Sequence, residues 1–490
     1  MPVATPQHAR SSARRRRVLG ASARLLVSRF SYGLTPALAR QVRARGGARA
    51  WFEWQLEPAA IRDPDLVGLD DWWPGLAHSG ARAWRRNVEG VEPGWVHTAN
   101  YQRWLLQRRI RSRRQLLEVM TEFWEHHFNV PANGDAQFVY RKDYGDAIRR
   151  HALDSFDALL QAAITHPAML IYLNQAVSTK SHPNENLGRE LLELHTVGRA
   201  HHTEDDVKDC ARVLTGWRVD LWNTWTPSYE KSWHWTGPVS VAGFSDPNTS
   251  PDGRDVTGRM LAHLARHPET ARRIARKLVV KFVSDDPPEG LVDRLAQVYL
   301  DHDTQVRPVL RALVDSPEFR GSEGLKIRNP VEDVVAAYRV LGIRTDRPTA
   351  EASGANAVLW QCTTVGAYPQ GWPRPDGLPQ SNQAWATPAR MMASMRVHFS
   401  LCGGWWPTVD TRFRRPASWA PDYPIRFEDL VDHLSRTLLH RRVTPTLLRA
   451  CCEAVDVAAA ERITRDHGVV RWGMPRLLTT FLDSPAFYTR

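Results

Sequence analysis

Apolar residues recur at spacings of three and four along most of this 490-residue chain. Such spacing places them on one face of an α-helix. The stretch 101–130, which contains "RWLLQRRIRSRRQLLEVMTEFWEHHFNV", is one example, and Pro131 and Gly134 end it. One or two further helices are expected in 145–175. The pattern predicts an all-α fold, built as a large multi-helix globular array.

Capping residues mark where some of these helices begin and end. Thr203 stands before "EDDVKDCARVLTGW", and its hydroxyl suits an N-cap. Asn329 and Pro330 open "VEDVVAAYRVL", and Gly342 closes it. Proline at the start and glycine at the end is the usual asymmetry of a helix. These signals predict two well-bounded helices.

Two segments break the helical pattern. Residues 218–252 are rich in Trp, Ser, Thr, Pro and Gly and alternate in part as strands do, so we expect a small Trp-rich hairpin or an ordered loop. Residues 366–388 are also long and non-helical. Loops of this length inside a folded chain are often functional.

The composition divides the chain into three parts. We expect residues 1–22 to be a basic, disordered tail. Residues 23–345 form the main helical domain, which carries the insertion at 218–252. Residues 346–490 form a C-terminal helical region packed on that domain. The length allows two or three domains, or one large one.

Basic charge is concentrated at the start of the chain. The formal net charge is +12, and eleven Arg, including Arg14–Arg17, precede the first acidic residue, Glu53. Such a tail attracts anionic partners, so residues 10–17 are a candidate contact for nucleic acid, acidic lipid or an acidic protein. A solvated leader without a specific partner is the alternative.

Charged residues that interrupt the apolar stretches, together with the cysteine count, predict the compartment. Arg24 and Arg29 break the first apolar stretch before it reaches the length of a signal peptide, and no run is long enough for a transmembrane helix. The five Cys are odd in number and include no C-x-x-C pair, which favours reduced thiols. We expect a soluble, cytoplasmic protein, or an exported one if the start site is misassigned.

The segment 184–198, "NENLGRELLELHTVG", combines a leucine stripe with many polar residues. Wound as an α-helix, it places Leu187, Leu191 and Leu194 on the core face and Glu190 on the shoulder of that face. Asn184 and His195 fall on the opposite flank. Glu190 and Glu193, three residues apart, are neighbours that can share a metal ion or a proton. The alternative is simple ion pairing, with Arg189 reaching Glu193.

The helix predicted over 112–130 carries two histidines. His127 falls in the middle of its apolar face, where an imidazole needs a hydrogen-bond partner. It is either a satisfied core histidine or a metal ligand or general base. His126 lies at the edge of that face, one turn from Glu122, and this pair can hold an ion. The two histidines point about 100° apart and are not expected to grip one ion together.

The familiar catalytic signatures are missing from the sequence. There is no G-x-x-x-x-G-K-[ST], G-x-G-x-x-G after a strand, H-E-x-x-H or G-x-S-x-G, which argues against P-loop nucleotide binding, zinc proteolysis and serine hydrolysis. The Glu-x-x-His of di-iron bundles is also missing from both helices. Trp is unusually common, at 20 residues. The "WHW" at 233–235, with Trp217, Trp222 and Trp225 upstream, either stacks on sugars or bases or closes a loop onto the fold.

The order of the motifs resembles one bacterial family. "EFWEHHFNV", "HPAMLIYLNQ", "NENLGRELLELHTVG", "EDDVKDCARVLTGW", "HPETARRIARKLVVKFV" and a late "GW…W" loop follow one another as in the family called domain of unknown function 1800. The resemblance runs from "LLVSRFSYGLTPAL" to the final "DSPAF" and so covers nearly the whole chain.

The resemblance implies a mainly helical fold and no established activity. Members are often exported and often encoded beside a second uncharacterised, sulfatase-like family. They commonly have another histidine where Glu125 stands here, so a metal site that used this histidine would differ in this chain. The matching positions are Trp124, His127, Asn184, Glu185, Asn186, Arg189, Glu190, Glu193, His195, Thr196 and Trp217.

The leading functional hypothesis is an ion-assisted hydrolase or oxidase, with a pocket between the 112–130 and 184–198 helices. The divalent ion would be held by Glu190, Glu193, His127, His126 and Glu122. The predicted catalytic residues are Glu190, Glu193, His127 and Arg189, and the predicted substrate-binding residues are Asn184, Asn186, Trp217 and Trp124. The alternatives are a non-catalytic scaffold or assembly partner with buried polar networks, and an anionic-surface binder that uses the Arg-rich N-terminus.

Overall fold

The computed structural model describes residues 17–134 and 136–490, and the part it describes is mainly helical. The predicted all-α fold is confirmed. The helices of the N-terminal part are α1 Ala21–Arg29, α2 Pro36–Ala44, α3 Ala48–Gln55, α4 Gly80–Val88, α5 Gly94–Arg111, α6 Gln115–His127, α7 Arg141–His151, α8 Phe156–Ile164, α9 Pro167–Tyr172, α10 Glu185–Glu190 and α11 Glu204–Val213.

The remaining helices follow the Trp-rich insertion. They are α12 Arg254–Arg266, α13 Pro268–Phe282, α14 Glu289–Asp301, α15 Val306–Asp315, α16 Pro317–Arg320, α17 Pro330–Leu341, α18 Gly354–Val365, α19 Pro388–Gly403, α20 Phe427–Leu438, α21 Pro445–Val455, α22 Met474–Leu482 and α23 Pro485–Tyr488. Two π-helical turns, Leu191–His195 and Val469–Gly473, extend α10 and precede α22.

The strands of the described residues form small antiparallel pairs. The predicted Trp-rich insertion contains two hairpins, which confirms this part of the fold prediction. The pairs are β1 Trp217–Val219 with β2 Pro227–Tyr229, β3 Val239–Val241 with β4 Phe244–Asp246, β5 Arg344–Thr345 with β6 Thr411–Arg412, and β7 Ile425–Arg426 with β8 Arg462–Ile463.

One large core cluster runs through the chain from Leu19 to Phe487. It takes apolar residues from both sides of position 345, so residues before and after this point bury their apolar faces in a common interior. Within it α13 packs on α14, α10 on α11 and α19 on α22. The division into a main domain and a C-terminal region stays a prediction.

Both predicted caps are confirmed. The Thr203 hydroxyl accepts a hydrogen bond from the backbone N–H of Asp206, whose carboxylate in turn accepts from the backbone N–H of Thr203. Asn329 and Glu332 make the same reciprocal pair at the start of α17. This capping box satisfies two N–H groups that have no partner inside the helix. Gly342 ends α17 with φ of 69°, in the left-handed region that glycine tolerates.

The stretch 101–130 contains parts of two helices, although its apolar spacing is that of one continuous helix. The chain leaves the helix at Ser112 and re-enters it at Gln115. The Gln115 side chain donates to the carbonyls of Arg109 and Ser112, at 3.2 and 2.7 Å. A side-chain amide thus replaces the backbone hydrogen bonds that a continuous helix would make. The helix of the predicted site is α6, shorter than the predicted 112–130.

No helix in the part of the chain that the structure describes is long and apolar enough to cross a membrane. The predicted anionic contact at residues 10–17 lies outside the described residues except for Arg17, which is exposed. The compartment stays a prediction.

Candidate acid–base site

A π-helical turn shapes the segment that carries most of the predicted site residues. α10 runs from Glu185 to Glu190, and the next turn, Leu191–His195, is π-helical. The wider π turn rotates the following side chains relative to an α-helix, and such turns are frequent at functional sites. Leu192 and His195 are fully buried, whereas Leu194 is only partly buried. The α-helical prediction that placed Leu194 on the core face is therefore wrong, and His195, predicted at a flank of the apolar stripe, is fully buried.

The carbonyl groups at the end of this turn are satisfied from several elements. A helix terminus leaves carbonyls without intrahelical partners, and here four of them receive a donor. The pairs are Thr196 Oγ1 to Leu191 O at 2.7 Å, Gly198 N to Leu192 O at 2.8 Å, Arg273 Nε to Leu194 O at 2.9 Å and His127 Nε2 to His195 O at 3.0 Å. The π turn is thereby joined to α6 and α13.

His127 connects this turn to a lysine of α13. Its ring is buried, its Nε2 lies 3.0 Å from the carbonyl oxygen of His195, and its Nδ1 lies 2.9 Å from Nζ of Lys277. A carbonyl only accepts, so Nε2 carries the hydrogen, and Nδ1 of the neutral ring accepts from the lysine amine. Burial, followed by the charge of Lys277, holds the pKa of His127 well below its usual value, which keeps the ring neutral.

Lys277 is partly exposed at the surface of α13, while its neighbours Ile274 and Leu278 are buried. Burial of the amine, reinforced by the charge of Arg273, lowers the pKa of Lys277 to about 7, against the opposing influence of Asp376. A lysine with such a pKa is neutral for much of the time near pH 7, as general-base and nucleophilic lysines are. Its hydrogen bond to His127 fixes the direction of one N–H bond. The nitrogen lone pair and the other N–H bond of the neutral amine are not used by this contact.

His195 completes the pair of imidazoles. Its ring centroid lies 5.6 Å from that of His127, and it is fully buried. Neither ring nitrogen has a hydrogen-bond partner among the described residues. Burial and the nearby Lys277 lower the pKa of His195 to about 3, so this ring stays neutral.

Glu190 differs from the other carboxylates of this segment. No hydrogen bond or ion pair reaches its side chain from the described residues, whereas Glu193 lies 2.8 Å from Arg199 and 3.8 Å from Arg189. Burial raises the pKa of Glu190, and the negative charges of Glu193 and Asp376 raise it further. A carboxyl group in this state keeps its proton to higher pH than an ordinary glutamate, which suits a general acid.

The long segment 366–388 closes over the end of α6. Asn129, just after this helix, donates to the carbonyls of Trp372 and Arg374, at 2.8 and 2.7 Å. Gly377, with φ of 76°, packs so closely on the backbone of His126 that a Cβ would lie 1.8 Å from its carbonyl oxygen. The loop thereby brings Asp376 near enough to influence both Lys277 and Glu190. Its predicted functional role stays a prediction.

Glu125, the position at which the resemblance implies a histidine, anchors the same loop. Its carboxylate is fully buried and accepts hydrogen bonds from Tyr101 at 2.7 Å, Arg141 at 3.1 Å and Gln370 at 2.8 Å. Gln370 belongs to the loop, so Glu125 links α6 to it. These bonds occupy both carboxylate oxygens.

The other predicted residues lie in separate surroundings. Arg189 forms ion pairs with Glu185 and Glu204 in addition to Glu193. The Asn184 side chain caps α10 by accepting from the backbone N–H of Asn186 at 2.9 Å. These contacts occupy the side chains of Arg189 and Asn184, whereas the Asn186 side chain is exposed.

The two predicted tryptophans are held by the fold. Trp124 is buried, donates to the carbonyl of Ala152 at 2.9 Å and touches His127 from the core side. Trp217 lies in β1 and donates to Thr257 Oγ1 at 3.3 Å. Trp124 thus supports the ring of His127, and Trp217 joins the first hairpin to α12.

Glu122 and His126 face away from His127 into a second polar cluster. Glu122 accepts from Tyr32 at 2.5 Å and pairs with Arg109 at 3.5 Å, and His126 lies 3.8 Å from it. Burial lowers the pKa of His126, so its ring is neutral more readily than usual. Glu122 and His126 are neighbours one helical turn apart, as predicted. The Glu122 carboxylate, however, is already paired with an arginine and hydrogen-bonded to a tyrosine.

The five predicted metal ligands therefore do not form one site. Within residues 17–134 and 136–490, no group of three or more His, Cys, Asp or Glu has the arrangement to hold a metal ion. The physical reason is the rotation of side chains about α6 and the π turn, which separates His126 and Glu122 from His127. The donor set does not fit a divalent ion.

Replacing Glu190 by Gln is expected to leave the free energy of unfolding unchanged or raise it by about 0.5 kcal/mol at pH 8. The folded-state pKa of Glu190 is raised, so its ionisation disfavours the folded state as pH increases, and Gln removes that cost. Urea unfolding at pH 5 and pH 8 measures the change. Glu193→Gln is the control: it loses a paired carboxylate and should lower stability by up to about 1 kcal/mol. A loss larger for Glu190→Gln than for the control contradicts this prediction.

Sequence reasoning missed Lys277, Arg273 and Asp376. Lys277 and Arg273 lie four residues apart in "ARRIARKLVVKF", so they share one helix face, but nothing local distinguishes them from surface cations. The available signal was that the chain uses few lysines among many arginines, and that this one stands between apolar residues.

These features define a class: a mainly helical protein in which a π turn and a long helix hold a lysine–histidine pair, and in which the helix before the π turn carries an unpaired carboxyl group, that of Glu190. Residues 25–489 match the family model described as "Protein of unknown function (DUF1800)", and the chain belongs to this family. The resemblance inferred from the motifs is thus confirmed over nearly the whole chain. No curated protein and no solved structure matches it.

Proposed function

We propose that the chain is a hydrolase whose general base is the amine of Lys277. The observation that carries the proposal is the 2.9 Å hydrogen bond between Lys277 Nζ and His127 Nδ1, which orients an amine whose pKa is about 7. A base with a pKa near the working pH combines a useful unprotonated fraction with enough basicity to accept a proton. The partner-free carboxyl of Glu190, with its raised pKa, is the proposed general acid.

The proposed reaction uses the chain's own groups. The lone pair of Lys277 Nζ takes a proton from a water molecule, whose oxygen attacks the electrophilic carbon or phosphorus of the substrate. Glu190 gives its proton to the departing group, and the carboxyl and amine exchange their proton with solvent afterwards. His127 is a positioning residue, because it acts through its hydrogen bond to the lysine rather than on the substrate.

The other hypotheses have less support. The ion-assisted form lacks a fitting donor set. The buried networks around Glu118, Glu122 and Glu125 favour a structural role for these carboxylates, which is compatible with a scaffold as well as with an enzyme.

The test is a hydrolysis assay on p-nitrophenyl acetate, p-nitrophenyl phosphate, a p-nitrophenyl glucoside and an alanine p-nitroanilide. We expect at least one to be hydrolysed. For the p-nitrophenyl substrates, whose departing phenolate needs no proton from Glu190, the rate should rise as pH increases through about 7, because the amine then loses its proton. Lys277→Met should lower kcat/KM about 100-fold or more, the usual contribution of a general base.

Lys180→Met is the matched control, since Lys180 is exposed and none of the site residues contacts it. It should leave kcat/KM unchanged. Equal activity in wild type and Lys277→Met, or no hydrolysis of any substrate in the panel, argues against the proposal.

A further inference from the structure

A concave surface, formed by residues outside the acid–base site, lies between α21, α22 and the end of α19. This α21 groove has a volume of about 1040 Å³ and is lined mainly by apolar atoms. Its size is that of a pocket for a substantial organic ligand. The residues that line its walls include Phe399, Leu447, Ala450, Ala454, Thr479 and Thr480.

The apolar wall follows from the sequence of α21. Leu447, Ala450 and Ala454 recur at the spacing of one helix face and line the groove, while Cys451 is the fully buried residue of this helix. The helix therefore packs on the protein through Cys451 and leaves an apolar stripe partly open. Such an uncovered stripe on an otherwise packed helix is typical of a binding surface.

The facing wall of α22 is apolar although it contains two threonines. The Thr479 hydroxyl donates to the carbonyl of Pro475 at 2.8 Å, and that of Thr480 donates to the carbonyl of Arg476 at 3.0 Å. Hydroxyls occupied within their own helix leave mainly methyl groups for a ligand. A peptide in this groove would bring backbone N–H and C=O groups that need partners, whereas an acyl chain needs none.

Positive charge is available where the groove meets solvent. Arg442 and Arg476 line it, are exposed, and form no ion pair or hydrogen bond through their guanidinium groups with any described residue. Arg441 is held by Glu323 at 3.5 Å. The groove's carboxylate, Asp483, lies 2.8 Å from His398 Nδ1, which occupies it. The uncompensated charge at the groove is therefore positive.

We propose that the α21 groove binds a single free amphiphile that has an acyl chain and a carboxylate head group. The chain lies against Leu447, Ala450 and Ala454, and the carboxylate is bound by Arg442 and Arg476. Guanidinium groups suit carboxylates because they donate two parallel hydrogen bonds. This site is independent of the hydrolase proposal.

The test is isothermal titration calorimetry of the full chain with laurate below its micellar concentration. Laurate should bind, and Arg442→Glu/Arg476→Glu should weaken it by about tenfold or more, as should Ala450→Trp, which fills the groove. Dodecyltrimethylammonium, with the same chain and the opposite charge, should bind at least about tenfold more weakly than laurate.

Matched controls separate these effects from changes in fold or net charge. Arg449→Glu/Arg462→Glu, which changes the net charge as much as the groove double variant, and Glu453→Trp alter exposed residues that do not line the groove. Both variants should keep the affinity for laurate. A thermal melt verifies that each variant is folded, and Ala454→Trp replaces Ala450→Trp if the latter is not. Absence of laurate binding, equal binding of the cationic amphiphile, or equal loss in the controls overturns the proposal. Association with anionic phospholipid vesicles without binding of monomeric laurate also overturns it.

Discussion

Lys277 should react with acetic anhydride at pH 7 about 50-fold faster than an ordinary lysine. At this pH about half of an amine with a pKa near 7 is neutral, against roughly 1 in 2,500 of a lysine with a pKa of about 10.4. Part of this advantage is lost because nucleophilicity falls with basicity, as it does among thiols, which leaves about 50-fold.

The measurement is favourable in this chain because it contains only seven lysines. Mass spectrometry of peptides after brief labelling gives the rate at each lysine, and a series from pH 5 to pH 10 gives the midpoint for each amine. The midpoint for Lys277 should lie near pH 7, whatever the effect of burial on the absolute rate. The exposed Lys180 is the internal reference. A Lys277 midpoint near pH 10 would contradict both the prediction and the proposed function.

Two substitutions should move this midpoint in opposite directions. Asp376→Asn removes the negative charge that raises the pKa of Lys277, so the midpoint should fall. The Asn retains a side-chain oxygen that can accept the 2.9 Å hydrogen bond from Trp372. Arg273→Gln removes a positive charge that lowers the pKa, so the midpoint should rise, and Gln keeps a donor for the carbonyl of Leu194. Shifts of the same sign would argue against this electrostatic explanation.

The fold was predictable because its signals are local. Apolar spacing, the Thr203 and Asn329 caps and Gly342 act within one or two helical turns, and the structure has all of them. The break at Ser112 was not predictable, because it depends on hydrogen bonds of the Gln115 side chain to carbonyls that a regular helix would satisfy itself. A single amide can thus end a helix without changing the apolar period.

The candidate site was only partly predictable for the same physical reason. His127 was identified because an imidazole on an apolar face requires a partner, and its partner is Lys277. That partner comes from 150 positions further along the chain, so no local pattern indicates it. Winding the segment at an α-helical angle assumes a regular helix. The prediction therefore did not anticipate that the π turn buries His195 fully and leaves Leu194 only partly buried. Glu190 was selected for its position at the edge of the apolar stripe, and its raised pKa agrees with that position.

The fold contains buried charges that the proposed reaction does not use. Asp333 of α17 is fully buried and accepts from Arg390 at 3.1 Å and from Ser394 at 2.5 Å, and His398 lies 3.3 Å from it. On its other side, His398 Nδ1 lies 2.8 Å from Asp483. The three residues Arg390, Ser394 and His398 belong to α19, so this cluster holds α19 against α17. Charges of this kind are costly to leave unpaired in the interior.

Asp333→Asn should therefore lower the free energy of unfolding by about 3–5 kcal/mol at pH 7, because Arg390 and protonated His398 lose their buried counter-charge. Burial alone would lower the pKa of His398, but Asp333 and then Asp483 outweigh it and raise the pKa to about 9. With an unfolded-state value of about 6.5, the resulting stabilisation, on the order of 3 kcal/mol, is complete below about pH 6.5 and lost as pH rises through about 9. Urea unfolding from pH 6 to pH 10 should show this decline in wild type and a smaller one in Asp333→Asn.

The exposed pair of Asp205 and Lys208 supplies the control, since Asp205→Asn should cost less than about 1 kcal/mol and keep the wild-type pH dependence. A similar cost for the two variants would mean that the interior cluster stabilises the fold no more than a surface ion pair does.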